Sequence, residues 1–439
     1  MRDHSKHIQL SREDAVAQML EAWGPVVSGM ERVGLAESIG RVTACDVCAA
    51  CDKPVATACA MDSIAVRWEA FEGLAEGELP DTSAWVRGVD WEFANTGVAM
   101  PEGFDTAIVI EHVVVSPDEQ RVTIDAAPSR RGAGTRPAGS ELRRGDVLAP
   151  AGTVVTPDVA ALIGSGDVAS VPVARKPRVA FIPTGNELVA PGVPFDPDRP
   201  ECFAARACNF ETNSILVRGK VEAWGGVFVP FDIVRDDRAA IAEAVAQACE
   251  AADIVVLNAG SSKGSDDWSC EVLEEMGRVI CHQTNHGPGH HSSYAIVDGT
   301  PVVGISGPSG GASFTLDFYL RPLVRSFLGL EPVVAKTPAR LMEVFPPGGP
   351  GGPGKPHGGK PAGEDRPPEQ HPGEPGKPNF YSIRMVLAHP GPDGVLQARP
   401  VAGRPGSAAT QRANAFYMMP GGPGVEPPAA GDFIEVEFR

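Results

Sequence analysis

A chain of 439 residues is too long for one hydrophobic core, because domains usually run about 100 to 200 residues, and about three units are expected. Its 43% hydrophobic and 21% charged residues fall in the ordinary globular range. A formal net charge of −18 with no long basic stretch argues against nucleic acid as a partner, and the lack of a long apolar run or a leader-like N-terminus argues for a cytoplasmic protein with no membrane span.

In chain order, SREDAVAQMLEAWGPVV (11–27) reads as an amphipathic helix with Ser11 as N-cap and Ala15, Met19 and Leu20 on one face. From about 42 to 177 the pattern changes to short β-branched runs, Ala107 to Glu111, Val122 to Ile124, Val147 to Leu148 and Thr153 to Val155, between Gly, Pro and Asp clusters. Cys45, Cys48 and Cys51, with Cys59 beyond, partly imitate an iron–sulfur ligand run whose fourth cysteine comes too late. They read as half-buried residues on a strand and turn. Nine cysteines do not suggest a disulfide framework.

At Arg178, RVAFIP is a continuous apolar run of the kind a parallel strand buried on both faces requires. Helices and strands then alternate: a helix from Asn213 to Trp224, the strand VFVPFDIV, a helix from Asp236 to Ala251, and the strand DIVVLNAG. A helix near Asp267 to Met276 follows, then strands at Arg278 to Gln283, Tyr294 to Val297 and Val302 to Ile305, and a helix from about Ala312 to Leu328. That alternation predicts a Rossmann-like domain. Residues 346–378 are too rich in Pro and Gly to build a core and read as a disordered insert. FYSIRMVL, LQARPVA, NAFYMMP and FIEVEF then make a small β-barrel or sheet domain.

The fold class expected is therefore multi-domain α/β and β. A linker domain of 1–45 plus 145–177 carries the N-terminal helix, 46–144 is a small β-rich domain, 178–330 is Rossmann-like, and 336–439 is a C-terminal β domain interrupted by the insert.

In a doubly wound domain, ligands bind at the carboxyl ends of the strands, where TGNEL (184–188), NAGSSKGSDDW (258–268) and ISGPSGGAS (305–313) fall. Gly260, Ser261, Ser262 and Gly264, between strand and helix, offer backbone N–H groups to a phosphate, or else make a tight turn with no ligand. Gly307, Ser309, Gly310 and Gly311 repeat the arrangement. Glu187, Asp236, Asp237, Asp266 and Asp267 supply carboxylates for Mg²⁺, although Asp236 or Asp237 would equally serve as a helix cap. His282, His286, His290 and His291 crowd one loop, as metal ligands, as anion contacts or as solvated loop residues.

This ordered set of loops resembles the molybdopterin molybdotransferases, MoeA and the gephyrin E domain. The segments that carry the resemblance are AMDSIAV (60–66), TGVAMPEGFDTAIVIEH (96–112), GSELRRGDVLAPAGTVVTP (139–157), RKPRVAFIPTGNELVAPG (175–192), TNSIL (212–216), DIVRDD (232–237), DIVVLNAGSSKG (253–264), VVGISGPSGGAS (302–313) and RANAFYMMP (412–420). The resemblance implies a homodimer whose Rossmann-like domain binds molybdopterin. It also implies Mg²⁺-dependent insertion of molybdate into adenylated molybdopterin, with release of AMP. Glu187, Asp236, Asp237 and Asp267 would be catalytic, with Mg²⁺ on Asp236 and Asp267. Asp62, Thr96, Thr184, Gly260, Ser262, Lys263, Gly264, Gly307, Ser309 and His290 would bind the cofactor precursor, and a recipient molybdoenzyme would take the product.

Several polar positions depart from the family pattern. Its Asp-Asn-Ser ahead of AMD is Thr57, Ala58 and Cys59 here, and its Gly-Tyr is Ser63 and Ile64. Its lysines before and within Pro-Gly-Lys-Pro are replaced by Gln283, Gly287, His290 and His291. Lys263 restores one charge. The alternatives to an insertase are a non-catalytic molybdopterin binding or delivery protein and a metal-binding regulator using the Cys or His cluster.

Overall fold

The computed structural model describes residues 8–25, 29–75, 77–192, 209–259, 268–346 and 378–439. Apart from its two end residues, the Pro/Gly-rich stretch expected at 346–378 lies outside them. So do Gly260, Ser262, Lys263, Gly264, Asp266 and Asp267.

Helix α1 (Arg12–Trp23) begins at Ser11, whose hydroxyl accepts from the Asp14 N–H at 3.1 Å. It ends earlier than expected because Gly24, at φ +76° and followed by proline, turns the chain left-handed and returns its N–H to the Leu20 carbonyl.

The chain divides into two compact units, residues 30–174 in one and residues 1–29 with 175–439 in the other. This corrects the expected linker domain. Residues 30–45 do join 145–174, but α1 belongs to the α/β unit, where Ala15 and Met19 are buried and Trp23 stacks on Phe327 at 6.2 Å.

In the unit of residues 30–174, β1 (Met30–Gly34) leads into a three-stranded antiparallel sheet. There β2 (Ser63–Val66) lies between β3 (Trp91–Ala94) and β4 (Thr106–Val109). Ile64, Val66, Trp91 and Ile108 fill one core. Helix α2 (Pro157–Ser165), capped by Thr156, covers Val47, Leu148 and Val171 beside β5 (Ser170–Ala174), which pairs with β1. The strand expected at Thr153 to Val155 reduces to a single bridge, Val42 with Val154.

The second unit is built on a six-stranded sheet of β6 (Arg178–Ile182), β7 (Val227–Pro230), β8 (Ile254–Ala259), β9 (Arg278–Cys281), β10 (Tyr294–Val297) and β11 (Thr300–Ser306), in the order β7-β6-β8-β11-β10-β9. The first four in that order are parallel, β10 runs antiparallel to them, and β9, antiparallel to β10, runs with the first four again. Val179, Ala180, Phe181 and Ile182 are all buried, as strands covered on both faces require. Helix α3 (Asn213–Ala223) connects β6 to β7 and α4 (Arg238–Ala251) connects β7 to β8, so the chain reverses direction across the sheet between β6 and β8. Ile241, Val245 and Ala248 of α4 join Ala180, Ile182 and Val255 in the main core, together with Val272 and Leu273 of α5 (Ser269–Met276).

After β11 the chain is helical earlier than expected. Helix α6 (Ser309–Thr315) takes in Gly310 and Gly311, a π turn follows at Leu316–Leu320, and α7 (Arg321–Phe327) completes the segment. Strands β12 (Thr337–Leu341), β13 (Phe380–Pro390), β14 (Leu396–Pro400), β15 (Ala415–Gly421) and β16 (Phe433–Phe438) close a five-stranded barrel around Leu341, Val386, Ala398 and Val436.

The two ends of the chain meet in this unit. The Arg12 guanidinium binds both Glu437 carboxylate oxygens, at 2.6 and 2.9 Å, and lies over the Phe318 ring at 3.9 Å. Arg12 is 9% exposed and Glu437 5%, so the pair is a buried one. No helix of the described residues is long and apolar enough to cross a membrane.

Candidate crevice at the strand ends

In an open parallel sheet the crevice lies where strand order reverses, here outside the carboxyl ends of β6 and β8. An amide network organises it. Thr184, just past β6, donates its hydroxyl to the Asn258 carbonyl at the end of β8. The Asn258 side-chain amide returns to the Thr184 carbonyl at 3.2 Å. From the start of α3, the Asn213 amide bridges Asn258 Oδ1 at 2.9 Å and the Gly307 carbonyl at 3.0 Å. All three side chains are buried, so three loops expected to converge are held by hydrogen bonds shielded from water.

Asn213 and Asn258 were not among the sequence candidates. The available signal was an asparagine closing an otherwise apolar strand, where a buried amide needs partners on neighbouring loops. Replacing Asn258 with alanine would leave one N–H of the Asn213 amide and the Thr184 carbonyl buried without a partner. Urea unfolding should then show a loss of about 1–3 kcal/mol.

Of the acidic candidates, Glu187 follows β6 and Asp236 and Asp237 follow β7, at the same end of the sheet. Asp236 accepts from the Asn186 N–H at 2.9 Å while the Asn186 side chain accepts from the Asp236 N–H at 3.3 Å. This reciprocal pair ties the loop after β6 to the one after β7. Asp237 Oδ1 accepts from the Ala240 N–H at 2.9 Å, so it caps α4 as the cap reading required. Glu187 is half-buried and follows Asn186 directly. Glycine suits position 185, because φ +147° is a backbone conformation that L side chains rarely adopt.

Gly307 and Ser309 are exposed at the end of β11 and the start of α6. In the other unit, Asp62 Oδ1 accepts both the N–H and the hydroxyl of Thr96, at 3.0 and 2.9 Å. Those hydrogen bonds, the backbone one foremost, hold the exposed Asp62 carboxyl below its ordinary range. Two predicted residues 34 apart in sequence are thus in contact.

The histidines do not gather. His286 is fully buried between Phe318 and Tyr319, with Nε2 at 2.7 Å from the Tyr319 hydroxyl. His282, also buried, accepts from the Ile8 N–H at Nδ1 and faces Glu274 with Nε2 at 2.9 Å. His290 and His291 remain nearer the surface with ring centroids 3.8 Å apart. Cys45 and Cys48 are exposed rather than half-buried, whereas Cys59 is buried with its thiol on the Met61 carbonyl. Among the described residues no group of three or more His, Cys, Asp or Glu is placed to hold a metal ion.

Burial, and secondarily the nearby Arg12 guanidinium, push the His286 pKa down from 6.5 to about 3. The unfolded chain therefore binds a proton between those values that the folded chain refuses. The stability contribution is intact above pH 6.5 and is lost as pH falls toward 3, with a slope approaching 1.4 kcal/mol per pH unit, about the linkage value for one proton. His286→Gln should flatten the acid limb by that one proton in urea titrations at stepped pH. Superimposable limbs for the two proteins would contradict this account.

Comparison with known proteins adds to this geometry. Residues 10–166 match the MoeA N-terminal region (domain I and II), and residues 180–326 match a probable molybdopterin binding domain. Molybdopterin molybdenumtransferase 2 of Mycobacterium tuberculosis (strain ATCC 25618 / H37Rv) is 27% identical over 337 residues, covering 72% of this chain and 78% of that protein. The molybdopterin molybdenumtransferase of Bacillus subtilis (strain 168) is 26% identical over 336 residues, covering 74% and 68%. A crystal structure of a molybdopterin biosynthesis MoeA protein from Pyrococcus horikosii has the same fold, with a TM-score of 0.72 at 22% identity, covering 98% of this chain and 99% of that one.

Proposed function

Because the chain belongs to the MoeA family, as a divergent member, we propose that it is a transferase of molybdenum cofactor biosynthesis, inserting molybdate into adenylated molybdopterin with release of AMP. The observation that carries the reading is the amide network of Thr184, Asn213 and Asn258, which holds the three loops together at the switch point of a domain that matches a molybdopterin-binding one.

In this reading Gly307, Ser309 and His290, with Gly260, Ser262, Lys263 and Gly264, hold the anionic ends of the substrate. Thr184 ties the end of β6 to the end of β8. The acidic side supplies only oxygen donors, Glu187, Asp236 and Asp237, and a donor set of that chemistry suits a hard divalent cation. Asp236, with Asp267, would hold Mg²⁺, whose charge would offset the phosphate oxygens. Asp237 keeps the loop in place by capping α4, and Glu187, half-buried after Asn186, would take part in catalysis. Asp62, its charge stabilised by Thr96, would be a binding residue within residues 30–174. We further propose a cytoplasmic homodimer that passes its product to a recipient molybdoenzyme.

A second reading, a molybdopterin delivery protein without transfer activity, is favoured by one observation. Where the family carries Asp-Asn-Ser, Ala58 and Cys59 are buried in a strand pair with Thr135 and Arg136, and no carboxylate stands among residues 57–59. Complementation of an insertase-null host separates the two. Rescue is expected for the transferase; soluble protein that retains molybdopterin without rescue would establish the carrier.

A further inference from the structure

The loop that carries His290 and the loop that carries Ser309 are fastened to each other by two buried hydroxyls. Ser292 donates to the Gly289 carbonyl at 2.7 Å, which uses its single proton. Thr315, whose oxygen lies 2.8 Å from that of Ser292 and 3.2 Å from the Gly311 carbonyl, is therefore the donor across the pair. Ser292 and Thr315 are both fully buried.

The backbones touch at the same place. A Cβ on Gly289, which sits at φ +100°, would come within 3.1 Å of the Gly311 carbonyl and of Thr315 Oγ1. One on Gly311 would lie 3.3 Å from the Gly289 nitrogen and 2.5 Å from Ser306 Oγ. A glycine facing a glycine, with a hydroxyl pair behind them, sets one separation between the two loops. Neither loop can shift without breaking hydrogen bonds that water does not reach.

We propose that Ser292 and Thr315 are positioning residues that hold the His290 loop and the Gly307–Gly311 segment at the start of α6 at the spacing at which both reach the anionic part of the substrate. This rests on the function proposed above. Neither side chain touches the substrate; Ser292 acts through the Gly289 carbonyl it holds, and Thr315 through its hydrogen bond to Ser292. Thr315→Val removes the hydroxyl and keeps the shape, Thr315→Ser keeps the hydroxyl, and Ser292→Ala removes the other half.

Amide hydrogen exchange of the full chain, without ligand, reads the coupling directly. Thr315→Val and Ser292→Ala are each expected to speed exchange in both segments, 284–292 and 305–315, and Thr315→Ser to restore the native pattern. In turnover with adenylated molybdopterin, the first two variants should raise KM by about tenfold, the equivalent of one hydrogen bond, with kcat nearly unchanged. Faster exchange confined to the segment that bears the substitution, or a Thr315→Ser variant no better than Thr315→Val, would overturn the proposal. Coupled exchange in a native protein that binds no adenylated molybdopterin in equilibrium dialysis would instead overturn the functional reading, and the substrate-positioning role with it.

Discussion

Replacing Arg12 with alanine is expected to lower stability by about 3–5 kcal/mol, because it leaves the Glu437 carboxylate buried with its counter-charge removed. The cation also loses its seat over the Phe318 ring. In a unit of this size the melting temperature should fall by on the order of 10 °C, with the transition of residues 30–174 unaffected. Removing both charges together, Arg12→Met with Glu437→Leu, should cost far less, since neither ion is then stranded. Calorimetry on the single and paired variants gives the comparison directly. A loss below about 1 kcal/mol in Arg12→Ala would mean that the pair is hydrated in solution, as surface pairs are.

Asp236→Asn is expected to reduce the insertion rate by about a hundredfold, the usual scale for removing one preorganised charge from a reacting centre. The substitution separates charge from scaffold. An asparagine oxygen still accepts from the Asn186 N–H that Asp236 now binds at 2.9 Å, so the link between the two loops survives and the melting temperature should hold. If Asp236→Asn turns over at the native rate, the carboxylate serves only as a loop tie. Asp237→Asn should be far milder, because its role as N-cap of α4 passes readily to asparagine.

How far the sequence was legible follows from the range of the forces involved. Continuous apolar runs such as RVAFI and DIVVLN are local consequences of burial on both faces, and they placed β6 and β8 within a residue or two. Ser11 and Asp237 were readable as caps because a cap is decided within three residues. Gly310 and Gly311 misled in the opposite direction, reading as loop although they lie in the first turn of α6. They are small because other backbone comes close: a Cβ on Gly310 would sit 2.5 Å from the Pro405 carbonyl.

The candidate site divides along the same line. Asp62 and Thr96, carried over from the family resemblance, are in contact, and Asp236, read from the sequence as a carboxylate of the strand-end loops, accepts from Asn186. Asn213 and Asn258 were passed over because an amide's importance lies in its partners, and those are 45 residues apart in sequence. In sequence His286 reads as one of a loop cluster for the same reason. Its burial is supplied by Phe318 and Tyr319 of the π turn, which no local pattern announces.

The most direct test of the central claim is an insertion assay with purified protein, adenylated molybdopterin, Mg²⁺ and molybdate, with a family member of intact motifs as control. The transferase reading predicts AMP release in step with active cofactor. Tight binding of the adenylated substrate with no AMP released, under conditions where the control turns over, would contradict it and leave a carrier on an insertase scaffold.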